Sequence, residues 1–177
     1  YQLKLFGYSS SDALSIYGIL TGMAFAIIMF PTVLTNSISV LLLPVVSEAQ
    51  AKHNDRLIRE AIIKTTESCL LLGLLCTIGL LVLGDFIGNF IFKNALSATF
   101  IVTMSWICPF LYLGSTLNSI FHGLGKPGIT LFLNLFSCLI RILFIIFLIP
   151  VIGIKGYLTG LLISQIALCV LALLWLY

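Results

Sequence analysis

The chain has 177 residues, of which 60% are hydrophobic and 8% are charged, and its formal net charge is +3. Its mean hydropathy is +1.20. Soluble domains are about a quarter charged, so this composition excludes a water-covered globular surface and predicts an integral membrane protein. The positive charge is small and scattered, which excludes the clustered basic face of a nucleic-acid-binding protein.

The length sets the number of membrane crossings. A transmembrane helix needs about 20 apolar residues, which leaves room for about five spans with short loops. The predicted fold is therefore all-α, a polytopic transmembrane helical bundle. The first residue is Tyr1 rather than methionine, and no signal peptide is visible. We expect the chain to be part of a longer protein.

The first predicted span is long and contains a proline. It covers about 13–46, with Ser11 or Asp12 as its cap, and Pro31 should bend it.

The stretch after this span is the charge-rich part of the chain, at 48–67. Its apolar side chains fall at helical spacing and Asn54 is a candidate N-cap. We expect an amphipathic helix that continues into the second span, about 68–83, followed by a loop or frayed helix end over 85–94.

Three further spans are predicted, at about 98–121, 129–149 and 156–177. Pro109 lies inside the third span, and Pro150 should end the fourth. Residues 122–128 should form a tight turn. Lysine and arginine favour the cytoplasmic ends of short-loop membrane proteins. Four of them follow the first span and Lys126 follows the third, so the first span should run outside to inside and the fifth should end inside.

Glycine patterns favour structural uses. Gly123, Gly125 and Gly128 match G-x-G-x-x-G, but apolar spans flank them and Pro127 interrupts the pattern, which indicates a helical hairpin rather than a nucleotide site. Three pairs fit G-x-x-x-G and should let helices pack closely, with dimerisation as the alternative; these pairs are Gly18/Gly22, Gly84/Gly88 and Gly156/Gly160.

Enzyme chemistry finds little support in the residues. The five cysteines lie in apolar runs without a C-x-x-C pair and are predicted to be small buried hydrophobes. The two histidines lack metal-ligand spacing, no G-x-S-x-G occurs, and no carboxylate lies deep in a span. We predict no catalytic residue, no metal, no cofactor and no enzyme activity.

Arg141 is the most informative residue because it lies near the middle of the fourth span. A charge at that depth costs about 2.5–3.5 kcal/mol on insertion scales, so the guanidinium should face protein or a water-filled cavity. Asn134 and Ser137 precede it by seven and four residues on the same helical face. The functional interpretation is contact with an anionic substrate group, such as a phosphate. The structural alternative is a pair with a carboxylate or helix end elsewhere in the protein.

Weaker polar stripes occur in other spans. Asn36 in the first span and Asn118 in the third are further candidates to line a substrate cavity. Such side chains serve equally well as interhelical hydrogen bonds. The predicted substrate-binding candidates are Arg141, Asn134, Ser137, Asn36 and Asn118.

Short segments spread over the whole chain resemble one family. These segments are 17–24, 30–31, 43–49, 108–112, 123–126, 140–142, 149–150, 153–157 and 164–165. In order and spacing they resemble the C-terminal half of the oligosaccharide flippase family, within the multidrug/oligosaccharidyl-lipid/polysaccharide exporter superfamily.

The resemblance implies a fold of two six-helix lobes around a central cavity, with this chain supplying most of the second lobe. It implies a bacterial plasma-membrane transporter that flips a lipid-linked oligosaccharide or peptidoglycan precursor by alternating access, in cell-envelope or spore-cortex synthesis. The implied partners are that lipid-linked glycan, membrane lipid and the N-terminal lobe of the same protein. The family's cavity arginines lie largely in the other lobe, so none transfers to Arg141.

Two other functions remain open. A cation-coupled multidrug exporter has the same fold, although a cavity arginine suits its cationic substrates poorly. The second is a membrane assembly protein without transport activity. A membrane-embedded transferase finds no support, because the sequence lacks any catalytic cluster.

Overall fold

The computed structural model describes Leu3 and residues 7–176, and this part of the chain is almost entirely helical. Six helices in it are long and apolar enough to cross a membrane, which confirms the all-α polytopic bundle. They are α1 (Ser10–Met29), α2 (Thr32–Ala51), α3 (Asp55–Ile91), α4 (Ala95–Gly123), α5 (Pro127–Ile152) and α6 (Ile154–Leu176).

The sixth helix arises because the predicted first span, 13–46, forms two helices. Pro31 has no N–H to donate, and at the break Phe30 N donates instead to Ile27 O at 3.3 Å. The predicted bend at Pro31 is therefore a break between α1 and α2. The two helices lie end to end along α4, as the contacts of Ile28 with Tyr112 and of Ser47 with Gly123 show.

Several predicted helix ends need correction. Ser9 caps α1 instead of Ser11 or Asp12, since its hydroxyl accepts from Asp12 N at 3.1 Å. The loop predicted over 85–94 is wrong, because α3 continues to Ile91 through a π-helical turn. Asn54 is confirmed as the N-cap of α3 and accepts from Leu57 N at 3.2 Å.

Pro150 does not end α5, which runs on to Ile152. A proline near the end of a helix removes one backbone bond, and the helix tolerates that loss. Gly153 stops the helix instead, with φ +68°, a left-handed conformation that suits glycine.

Helix α4 is the centre of the bundle and contacts every other helix. Its largest buried side chains include Tyr112 and Phe121. By contrast, α5 presents large apolar side chains outward, with Phe132 at 64% and Phe147 at 66% exposure. Apolar side chains exposed in this way fit a helix surrounded by lipid.

Helix α3 lies antiparallel to α4 at very short range, and glycines make this possible. An ideal Cβ at Gly73 would lie 2.4 Å from Pro109 Cα, and one at Gly88 would lie 2.3 Å from Ala98 Cα. Gly84 also packs against α4, and Gly156 and Gly160 pack against α5. These contacts confirm two of the three predicted glycine pairs. At Gly18 and Gly22 a Cβ would meet nothing within 4 Å among the described residues, so close packing or dimerisation through this pair stays a prediction.

Two hydroxyls from neighbouring helices bind carbonyls near the prolines. Pro109 has no N–H to donate to the carbonyl of Ser105, and that oxygen accepts from Thr77 Oγ1 of α3 at 3.1 Å. Near the Pro31 break, Ile28 O accepts from Tyr112 Oη at 3.0 Å. Both bonds are buried, so they tie α1 and α3 to α4.

Gly73→Ala should destabilise the protein by about 1–3 kcal/mol, because the new methyl group overlaps the Pro109 backbone and forces α3 away from α4. Gly79→Ala is the matched control, since a Cβ at this position of the same helix meets nothing within 4 Å. Thermal unfolding in detergent measures both. Equal melting temperatures for the two variants would contradict the close approach.

Tyr112→Phe should destabilise the protein by about 1 kcal/mol, because it removes the hydroxyl that binds Ile28 O and leaves the apolar ring in place. Tyr17→Phe serves as the control, because Tyr17 is 51% exposed. The same unfolding measurement applies, and a loss as large for Tyr17→Phe would show that the Ile28 bond is not the cause.

Candidate functional site

A polar cavity of about 330 Å³ lies between α4, α5 and α6. Its polar and thiol side chains come from all three helices, namely Ser115, Asn118, Asn134, Ser137, Cys138, Arg141 and Gln165. We call it the Arg141 cavity. In a bundle whose outer surface is apolar, such a cluster is where a hydrophilic ligand group would find partners.

Arg141 lies near the middle of α5 and is the last residue of this helix that lines the cavity. At 1.5 Å per residue it lies about 21 Å from Pro127 and about 17 Å from Ile152, the two ends of α5. The residue is partly buried, and its side chain lines the cavity. The expectation that the guanidinium faces an internal cavity agrees with this placement.

Two atoms in the cavity are buried without a hydrogen-bond partner among the described residues. They are Arg141 Nε, a donor, and Asn118 Oδ1, an acceptor. Within the same part of the chain, Arg141 also forms no ion pair, since the two ion pairs found there join Glu48 to Lys52 and Arg56 to Glu60. Unpaired buried polar groups are costly, so this pair is suited to a ligand that carries both an anionic acceptor and a donor.

The other polar side chains of the cavity are engaged with the protein. Ser137 Oγ donates to Ser164 O at 3.1 Å and joins α5 to α6. Gln165 Nε2 approaches Phe110 O at 3.5 Å and reaches from α6 to α4. Asn134 Nδ2 donates to Thr130 O at 2.8 Å within α5. These bonds hold the walls in place, and among the described residues of the cavity Arg141 Nε and Asn118 Oδ1 stay buried without a partner.

Gly114 allows α6 to come this close to α4. A Cβ at this position would lie 2.8 Å from Gln165 Nε2, so a larger residue would push the amide out of the cavity wall. The small residue and the amide therefore define the floor of the cavity together.

The structure brings four of the five candidate residues together, Arg141, Asn134, Ser137 and Asn118. Asn36 lies elsewhere, exposed on α2, whereas its neighbours Thr35 and Ser39 are buried. Ser39 faces α4 and approaches Thr116 Oγ1 at 3.4 Å.

Two lining residues fall outside the predicted set. Gln165 has a visible signal, an amide inside an apolar span. Cys138 has none, because a cysteine in an apolar run predicts a buried side chain. All five thiols are free, and Cys69, Cys108 and Cys169 are buried as predicted, but Cys138 is exposed. Within the described residues, no group of three or more His, Cys, Asp and Glu side chains is placed to hold a metal ion.

Comparison with known proteins supports the resemblance noted in the sequence. The family model described as lipid II flippase MurJ matches residues 15–177. Among curated proteins, stage V sporulation protein B of Bacillus subtilis (strain 168) is 25% identical over 157 residues. The alignment covers 88% of this chain and 30% of that protein, so the chain spans about 30% of the relative's length. No solved structure matches the chain.

The family match runs over nearly the whole chain, and the helices it covers have the length and apolarity of membrane spans. The chain belongs to the lipid II flippase MurJ family and is a multi-pass protein of the plasma membrane.

Proposed function

We propose that this chain is part of the second lobe of a transporter that flips a lipid-linked oligosaccharide or peptidoglycan precursor across the plasma membrane by alternating access. The polar headgroup would pass the Arg141 cavity while the lipid chain stays in the bilayer. Its partners would be the lipid-linked glycan, membrane lipid and an N-terminal lobe of the same protein. The family match supports the activity, and the name of the relative from Bacillus subtilis supports a link to sporulation.

The observation that carries the proposal is Arg141 Nε, buried at the middle of a membrane helix without a hydrogen-bond partner among the described residues. A guanidinium matches the oxygens of a phosphate with two parallel hydrogen bonds. At about 330 Å³ the cavity lies at the small end of ligand pockets, so it suits one charged group of a headgroup rather than a whole glycan. Asn118 Oδ1 would accept from a hydroxyl or amide next to that group.

The same residue argues against export of cationic drugs. A cation in the cavity would meet the positive charge of Arg141, and no described carboxylate lines the cavity to offset it. The transport we propose moves its substrate without making or breaking a covalent bond, so no catalytic group is required.

Arg141→Gln should lower the flipping rate at least about tenfold, because it removes a charge-assisted contact to the anionic headgroup. The flipping rate of Arg141→Lys should lie between those of the wild type and Arg141→Gln, since lysine keeps the charge but cannot form two parallel hydrogen bonds. The measurement is translocation of a fluorescent polyprenyl-diphosphate sugar by the full-length protein in proteoliposomes.

Arg59→Gln is the matched control for this experiment, because Arg59 is exposed and does not line the Arg141 cavity. Wild-type flipping by a normally inserted Arg141→Gln protein would contradict the proposal and favour a purely structural role for Arg141, including a role in membrane assembly.

The cavity should be wet, and the native cysteines report on this. A charged methanethiosulfonate reagent should label Cys138, which lines the cavity, because only a thiol in contact with water ionises and reacts. Cys69, Cys108 and Cys169 are buried and should remain unlabelled. Peptide mass spectrometry of the full-length protein locates the label. Added lipid-linked sugar diphosphate should slow the labelling of Cys138, and an unreactive Cys138 would count against a hydrated route.

A further inference from the structure

A second cavity, of about 540 Å³, lies between α1, α4 and α6. It shares no lining residue with the Arg141 cavity and lies at the end of the bundle where α6 begins. Its walls are mainly apolar, with side chains of Ile16, Leu96, Phe100, Ile107, Leu158 and Leu162. We call it the Lys155 pocket, after the charged residue in its lining.

Tyr8 and three threonines also line the Lys155 pocket, and the threonine hydroxyls are already satisfied. Thr99 Oγ1 donates to Ala95 O at 3.1 Å, Thr103 Oγ1 donates to Thr99 O at 2.7 Å, and Thr159 Oγ1 donates to Gly156 O at 3.0 Å. Each threonine donates its one hydroxyl proton to a backbone carbonyl of its own helix, so these side chains offer no donor to a ligand. The pocket therefore suits a hydrocarbon group.

One cation lies at the mouth of this pocket. Lys155 is exposed in the first turn of α6, and it forms no hydrogen bond or ion pair with any residue the structure describes. The N-terminus of a helix also favours an anion, so the helix and the ammonium act in the same direction. The charge at the mouth thus complements a phosphate.

The dimensions fit one leaflet of a bilayer. Ile154 and Leu162, at the two extremes of the lining along α6, are about 12 Å apart at 1.5 Å per residue. The hydrocarbon core of a bilayer is about 30 Å thick. A pocket of this length therefore begins at the membrane surface and stays within one leaflet. Basic residues favour the cytoplasmic side of a membrane, and they are concentrated at the opposite end of the bundle. The pocket therefore opens near the outer surface of the membrane.

We propose that the Lys155 pocket binds one acyl chain of an anionic phospholipid of the outer leaflet, with the phosphate at Lys155. The Lys155 pocket shares no lining residue with the Arg141 cavity, and the lipid we assign to it is distinct from the transported molecule. The bound phospholipid would fill the space between α1, α4 and α6 and hold the outer end of the bundle together.

Photo-crosslinking tests the proposal on the full-length protein. Nanodiscs of phosphatidylcholine with a minor fraction of phosphatidylglycerol would carry a phosphatidylglycerol probe with a diazirine on one acyl chain. Mass spectrometry should place crosslinks on Leu96, Phe100 and Leu162. Lys155→Gln should lower this labelling about fivefold, because it removes the charge that attracts the phosphate. Thr99→Trp should fill the pocket and abolish it.

Two matched variants control for charge and bulk. Lys93→Gln removes an exposed lysine from the same end of the bundle, and Thr21→Trp adds an indole at an exposed threonine outside the pocket. Both should label like the wild type, and all four proteins should keep the wild-type melting temperature within a few degrees.

Four results would overturn the proposal. If Lys155→Gln leaves the labelling of the pocket unchanged, Lys155 does not bind the phosphate. If a diazirine phosphatidylcholine probe labels the pocket equally, the pocket does not prefer an anionic lipid. Labelling that only a polyprenyl phosphate probe produces, or pocket residues covered by another segment of the full-length protein, would replace the proposed occupant. None of these results depends on whether Arg141 variants transport.

Discussion

A backbone carbonyl that loses its helical donor inside a bilayer has no water to bind instead. Pro109 removes the α-helical donor of Ser105 O, which keeps a 3-10 bond from Cys108 N and accepts a further bond from a hydroxyl of α3. A tyrosine of α4 binds a carbonyl beside the Pro31 break in the same way. These bonds require their partner helices to lie close to α4, and the glycines of α3 make that distance possible. The central position of α4 follows from this arrangement.

Much of the fold was predictable because hydropathy reports directly on lipid contact. The all-α bundle, the later spans and the Asn54 cap depend on local patterns and were correct. The errors concern places where packing overrides a local signal. Asp85 suggested a helix end, yet its side chain is exposed and α3 simply continues. Pro31 predicted a bend, but whether a proline bends or breaks a helix depends on the neighbour that binds the freed backbone, and sequence alone does not name that neighbour.

The candidate site was predicted in part for a similar reason. Asn134, Ser137 and Arg141 share one face of one uninterrupted helix, so helical spacing was enough to group them. Asn118 joins them through tertiary packing, which spacing does not reveal. Asn36 follows the helix break at Pro31. Residue spacing does not predict how α2 is rotated relative to α1 at this break, and Asn36 does not face the Arg141 cavity. Gln165 lies in the cavity wall because Gly114 leaves room for it, a relation between two helices far apart in sequence.

Helix α5 packs along α6 and touches the other described helices mainly at its border with α4. The Arg141 cavity lies at that border. A swing of α5 about α6 would therefore widen or narrow the seam while α1 to α4 stay assembled. Because the guanidinium is carried on the swinging helix, such a rigid-body motion would also move a positive potential through the membrane interior, towards or away from any anion that passes.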